Sequence, residues 1–250
     1  MRRRAPQRTT GFKRRRTQNT FQRNNRQVRR RTGSNSRSGG YLGIEYKFLD
    51  AAFGATTLTS TAWTALNPVG TGCTNSISVP ALGDAESERN GKQYAITGVH
   101  LRGDIRHLGS QVSAVPFADV KVRIVMYIDT QTNGTEATGS DIMATAGSDN
   151  TLAFRNLQYS SRFKILMDRI IQIHPDETYD VTAGKYSTGG TIKHFKMNKN
   201  FKVPLKVNCK SAGSTANVSS VVDNNIGVIA CCDAANWVQL EYATRVRFVG

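Results

Sequence analysis

Positive charge is spread so unevenly along this chain that its two parts cannot share one kind of structure. Between Met1 and Gly40 stand thirteen Arg, one Lys and no Asp or Glu, a charge of +14. The whole chain of 250 residues carries +16, so the other 210 residues hold only +2. Residues 1–40 therefore read as a polycationic arm and linker. Residues 41–250 read as a nearly neutral domain, long enough to bury a single core.

The arm mixes Arg with Gln, Asn, Thr, Ser and Gly, and its only sizeable apolar residues are Phe12, Phe21 and Val28. Such a stretch cannot bury enough apolar surface to offset the entropy of ordering it, so it is expected to be disordered when alone. Arg2, Arg3 and Arg4 form one cluster of like charge, Lys13, Arg14, Arg15 and Arg16 a second, and Arg29, Arg30 and Arg31 a third. Arg8, Arg23, Arg26 and Arg37 stand between and after them. Arg keeps its charge and presents a planar fork that matches phosphate oxygens, which makes nucleic acid the expected partner of all fourteen cations. No helix or ribbon is predicted to place chosen residues in a groove, so binding is expected to ignore sequence. A tail kept only for solubility would gain more from acidic residues. The cluster from Lys13 to Arg16 also satisfies a loose nuclear-localisation pattern, with an import receptor as the implied partner.

Past the Ser-Gly linker from Thr32 to Gly40 the apolar pattern has period two. Val120, Val122, Ile124, Met126 and Ile128 alternate with Lys121, Arg123, Val125, Tyr127 and Asp129, which predicts a half-buried strand. The same alternation runs from Phe195 to Val207 and from Val238 to Phe248. Ile44 to Phe53, Thr56 to Leu66, Tyr94 to Arg106, Arg162 to Ile173 and Ile226 to Cys232 complete eight expected strands. Gly70-Thr71-Gly72, Asn133-Gly134, Gly189-Gly190 and Asp223-Asn224-Asn225 supply turn chemistry between them. Asp141 to Ala146 and Thr151 to Leu157 are the two expected short helical turns. Eight strands with long, uneven connections fit an all-β, two-sheet sandwich of jelly-roll type better than an up-and-down barrel. His100, Arg102, Asp104 and Arg106 share one strand face, and Lys196, Lys202 and Lys206 another. Each is either a solvated outer face or a surface for subunits or phosphate.

Motifs narrow the function. There is no GxxxxGK[ST] loop, no GxGxxG after a strand, no HExxH and no GxSxG, so catalysis lacks its usual handles. His100, His107, His174 and His194 are scattered over separate strands and read as structural residues. Cys73, Cys209, Cys231 and Cys232 have no zinc-ligand spacing and read as reduced structural thiols. Asp84, Glu86 and Glu88 form an acidic loop without the spacing of a dedicated calcium loop, so neither metal nor cofactor is expected. Arg102-Gly103-Asp104 spells an adhesion tripeptide inside an expected strand, out of a receptor's reach. No apolar run follows the basic region as in a secretory leader, and no run approaches a membrane span. The expectation is a soluble chain without a membrane partner. Asn133-Gly134-Thr135 and Asn217-Val218-Ser219 match the glycosylation pattern and are expected to stay unmodified.

Several segments resemble, in order, one family. They are Ile44-Glu45-Tyr46-Lys47-Phe48-Leu49-Asp50, Glu88-Arg89-Asn90-Gly91-Lys92, the run from Val122 to Gly134, Ser161 to Asp168, and Thr244 to Phe248. Together they are similar to the single jelly-roll capsid proteins of small circular Rep-encoding single-stranded DNA viruses, which are themselves similar to the coat protein of satellite tobacco necrosis virus. Asn90 departs from the pattern, where such proteins more often carry an apolar residue, and the local packing is expected to differ there. The resemblance implies a virion protein that self-assembles into a closed icosahedral shell of about sixty copies. It also implies assembly in the host nucleus, with the arm turned inward on a single-stranded genome, DNA rather than RNA. Sixty arms of +14 would hold roughly 840 positive charges, suited to a genome on the order of a thousand nucleotides. Two other classes stay open: a cellular nucleic-acid-binding module, which would expose base-stacking aromatics on a sheet face, and a jelly-roll enzyme, which would need a cluster of His ligands. Tyr46, Phe48, Phe163, Phe195, Phe201 and Phe248 alternate with aliphatics and are expected in the core. Arg162, Asp168 and Arg245 flank apolar runs and are expected at rims or in internal pairs.

Overall fold

The computed structural model describes residues 45–59, 61–68, 73–108, 112–113, 118–144, 149–188, 190–210 and 216–250. All fourteen cations of the arm lie outside these residues. Eight strands form two four-stranded antiparallel sheets. The first is ordered β1 (Tyr46–Thr57), β11 (Val238–Val249), β3 (Gln93–His107), β9 (Ile192–Asn208). The second is ordered β2 (Thr64–Ala65), β10 (Asn225–Cys232), β5 (Val120–Asp129), β6 (Phe163–Ile173). Apart from β5 and β6, which are neighbours in one sheet, successive strands of the eight pass between the sheets, and first and last pair with each other, which is jelly-roll connectivity.

Alternation explains the core. Leu49, Ile96, Val99, Leu101, Leu240 and Val246 point from the first sheet, and Val122, Ile124, Met126 and Val228 from the second, into one buried cluster. Aromatic pairs lock it: Tyr94 meets Phe248 edge-on at 5.8 Å, and Phe53 stacks on Tyr242 at 5.3 Å. The turns fall where the sequence places them among the described residues, with Asn133, Gly134, Gly190 and Asn224 at positive φ.

Four expectations need correction. Thr56 to Leu66 is not one strand: Thr56 and Thr57 finish β1, and pairing resumes only at Thr64–Ala65, because the chain crosses here from one sheet to the other. The expected helical turns shrink to α1 (Gly139–Ile142), which ends before Ala146, and a 3₁₀ turn at Asn150–Leu152. A small third sheet of β4 (Val112–Ser113), β7 (Glu177–Asp180) and β8 (Lys185–Thr188) is not foreshadowed by the sequence pattern. Finally, β5 is buried on both faces. The β5–β6 connection folds back as a roof, and Val125, Tyr127 and Ile229 pack under it with Ala137, Ile142, Met143 and Phe163 in a second core.

Asn90 finds its reason in Lys47. That lysine points inward and is 1% exposed, and its Nζ donates to the Ala85 carbonyl at 3.3 Å and to Asn90 Oδ1 at 3.4 Å. An apolar residue at 90 would leave the buried ammonium with one acceptor fewer.

Candidate nucleic-acid and assembly surfaces

The two sheets turn very different faces outward. On the roofed side two arginine–aspartate pairs tie the sheet to its surroundings. Arg162 holds Asp129 through two hydrogen bonds of 2.7 Å, and Arg123 holds Asp168 at 2.7 and 2.6 Å while also donating to the Thr151 and Ala153 carbonyls. These bidentate contacts push both guanidinium groups further toward the charged form. Arg123 thereby ties the roof to the sheet. Outside the roof, Leu152, Phe154 and Leu157 are 63%, 85% and 79% exposed, large apolar side chains set in solvent within six residues.

Among the described residues no connection covers the first sheet in this way. Strand register arranges its outward residues in cross-strand rows: Phe48, Arg247, Gly98, Asn200; then Asp50, Arg245, His100, Asn198; then Ala52, Ala243, Arg102, Lys196. In the first row the Arg247 guanidinium crosses Gly98 to reach Asn200 Oδ1. A Cβ on Gly98 would sit 2.8 Å from Arg247 Nη2 and 2.9 Å from Asn200 Oδ1, so only glycine leaves that path open. In the second row Arg245 grips Asp50 at 2.7 and 2.6 Å and holds its carboxyl below the usual carboxylate range. His100 is shifted down as well, here toward its neutral form: burial first, then Arg247, Arg102 and Arg245, disfavours its protonated form. The His100 Nε2 is buried without a hydrogen-bond partner. One row further, His194 Nδ1 lies 2.5 Å from Asp104.

The residues singled out in the sequence thus fall into three groups. His100, Arg102, Asp104 and Lys196 come together on the bare face, with Arg106 at its far end and Lys206 near its other end. Arg162 and Asp168 pair internally on the roofed side, and Arg245 pairs with Asp50. Arg102-Gly103-Asp104 is paired on both sides in the middle of the sheet. Arg247, Asn198 and Asn200 also belong to this face; their alternation with Val246, Met197 and Phe201 is the signal that could have found them. Tyr46 and Phe48 correct the aromatic expectation. They are 60% and 43% exposed on the outer side of β1, whereas Phe163, Phe195 and Phe248 are buried. The four cysteines are buried and form no disulfide with one another, and burial raises the Cys73 and Cys232 thiols to about 11 and Cys231 to about 12. Among the described residues no three His, Cys, Asp or Glu side chains gather as a metal site, and no helix is long and apolar enough to cross a membrane.

No protein-family model matches the chain, and no curated protein matches it. Solved structures give faint likenesses. The structure of infectious bursal disease virus, Gt strain, is 12% identical over 80% of this chain and 42% of that chain, with a TM-score of 0.12. T=1 particles derived from infectious bursal disease virus are 8% identical over 82% of this chain and 40% of that one, with a TM-score of 0.13. The chain thus spans about two-fifths of these proteins, and superpositions this partial carry no functional weight.

Proposed function

We propose that this chain is a viral capsid subunit without catalytic activity, which assembles through its jelly roll into a small closed shell and condenses a single-stranded genome through its basic arm. The observation that carries the reading is the union of +14 in forty residues with an eight-stranded jelly roll. The segments resembling single-stranded DNA virus capsid proteins fall on β1, at the entry to β3, on β5 and its turn, on β6 and on β11, so the likeness follows the framework of the fold. That resemblance favours DNA as the packaged strand and about sixty copies as the shell. The exposed Leu152, Phe154 and Leu157 support contact between copies.

Deleting residues 1–40 is expected to leave a folded domain that no longer retains nucleic acid. Nucleic-acid content undiminished in particles of the deleted protein would overturn the packaging role of the arm. The exposed Tyr46 and Phe48 favour a second reading, a cellular sequence-independent nucleic-acid-binding protein. It would remain a monomer or small oligomer at high concentration, with or without nucleic acid.

A further inference from the structure

The bare face of the first sheet carries an electrostatic imbalance. Arg102 on β3 and Lys196 on β9 stand directly opposite each other in register, and both are exposed. Like charges in that position repel, and a sheet normally sets an opposite charge across from each. Two nearby carboxylates are engaged elsewhere: Asp50 is held by Arg245 on both oxygens, and Asp104 is held by His194 on one. Glu241, opposite Asp104 on β11, lines one hollow together with Arg102 and Asp104, so this side of the cleft also carries negative charge, and the two cations lie toward β9.

Shape adds to charge. The row containing Arg102 and Lys196 continues through Ala243 and Ala52, whose small side chains leave the sheet floor low. Three shallow hollows adjoin there, and Arg102 lines all of them. His100, with its unpartnered Nε2, lines the same hollow as Arg102 and Arg245, and Lys196 shares another with Arg102. Along the sheet from this floor, Phe48 exposes 43% of its surface beside Arg247.

The geometry points to a binding cleft for phosphodiester groups on this face, centred on Arg102 and Lys196, with Phe48 offering its ring to a base of the same strand. It is a second nucleic-acid site, separate in sequence from the arm, and the identity of its strand as a packaged genome rests on the capsid reading. A bridging phosphate would place two negative oxygens between the two cations and relieve their repulsion. Asn198 and Asn200, on the Lys196 side, add neutral donors suited to a backbone read without regard to sequence.

The test uses the full chain freed of nucleic acid, a fluorescently labelled oligothymidylate, and inorganic polyphosphate as a competitor without bases. The double variant Arg102→Gln and Lys196→Gln is expected to bind oligothymidylate about tenfold more weakly, and to flatten the slope of log affinity against log salt by about 1.4, or 0.7 for each phosphate lost. The control is Lys164→Gln with Arg169→Gln, which removes the same charge from exposed positions on β6. It is expected to change neither quantity by half as much. Phe48→Ala is expected to weaken oligothymidylate several-fold while polyphosphate competes as before, which marks a nucleic-acid strand as the ligand. Equal behaviour of the two double variants would overturn the cleft. Loss of polyphosphate and oligothymidylate binding in equal measure, with Phe48→Ala silent, would overturn the strand and leave a site for free anions. Shell formation, followed by light scattering on the same samples, reports on the capsid reading independently of either result.

Discussion

The two outward faces of the sandwich solve the same problem in opposite ways. The face of the second sheet is covered by its own β5–β6 connection, and its arginines find partners inside the molecule: Arg162 takes Asp129, and Arg123 takes Asp168. Among the described residues nothing covers the face of the first sheet, and there Arg102 and Lys196 stand directly opposite each other. A buried charge is costly until paired, whereas an exposed one is cheap to leave unpaired and available to a ligand. The difference separates a face built for stability from a face built for contact.

That contrast breaks most readily at the roof. Arg162→Ala leaves Asp129, whose side chain is 1% exposed, without its counter-charge, and is expected to cost about 3 kcal/mol in urea unfolding. A smaller loss, about 1–2 kcal/mol, is expected for Asn90→Leu through the buried Lys47, and Lys47→Met in the same background should recover most of it. Arg102→Ala, measured the same way, is expected to stay within about 0.5 kcal/mol of the parent. Phe154→Glu sharpens the comparison from the outside of the roof. It is expected to leave the unfolding midpoint nearly unchanged, since Phe154 is 85% exposed, and to reduce the yield of assembled particles seen by light scattering.

The smallest effect concerns pH. His100 faces Asp50 and Arg245 in its own row, Arg247 and Arg102 in the rows beside it, and Asn198 on β9. Its pKa lies below the ordinary 6.5 in the folded protein, chiefly through burial. The unfolded chain therefore takes up this proton more readily, so the contribution to stability is complete above 6.5 and is lost as pH falls below it. A phosphate beside His100 favours the protonated form instead. Oligothymidylate affinity is expected to rise as pH falls through this range, and to rise less steeply in His100→Asn; identical pH profiles would remove His100 from the cleft.

Much of the fold is legible in the sequence because strands with one buried face repeat every two residues. Val120 to Asp129 is legible to the residue, and the other long strands to within a few. The roof is not, because Val125 and Tyr127 look like outward positions until a connection of more than thirty residues folds over them. The crossing after Thr57 escapes for the converse reason: its apolar residues are buried without sheet pairing, as Leu58 and Leu66 show. At the candidate site, alternation puts Arg102 and Lys196 on polar faces, but their opposition depends on a pairing of β3 with β9 across some ninety residues, which no local pattern encodes. The same holds for Asn90 and Lys47, 43 positions apart.

The most direct test is the state of the full chain after purification, by light scattering and negative-stain microscopy, with absorbance at 260 and 280 nm before and after nuclease treatment. The capsid account predicts closed particles of uniform size whose nucleic acid survives the nuclease. A monodisperse monomer or dimer that persists at high concentration and across salt conditions would contradict it.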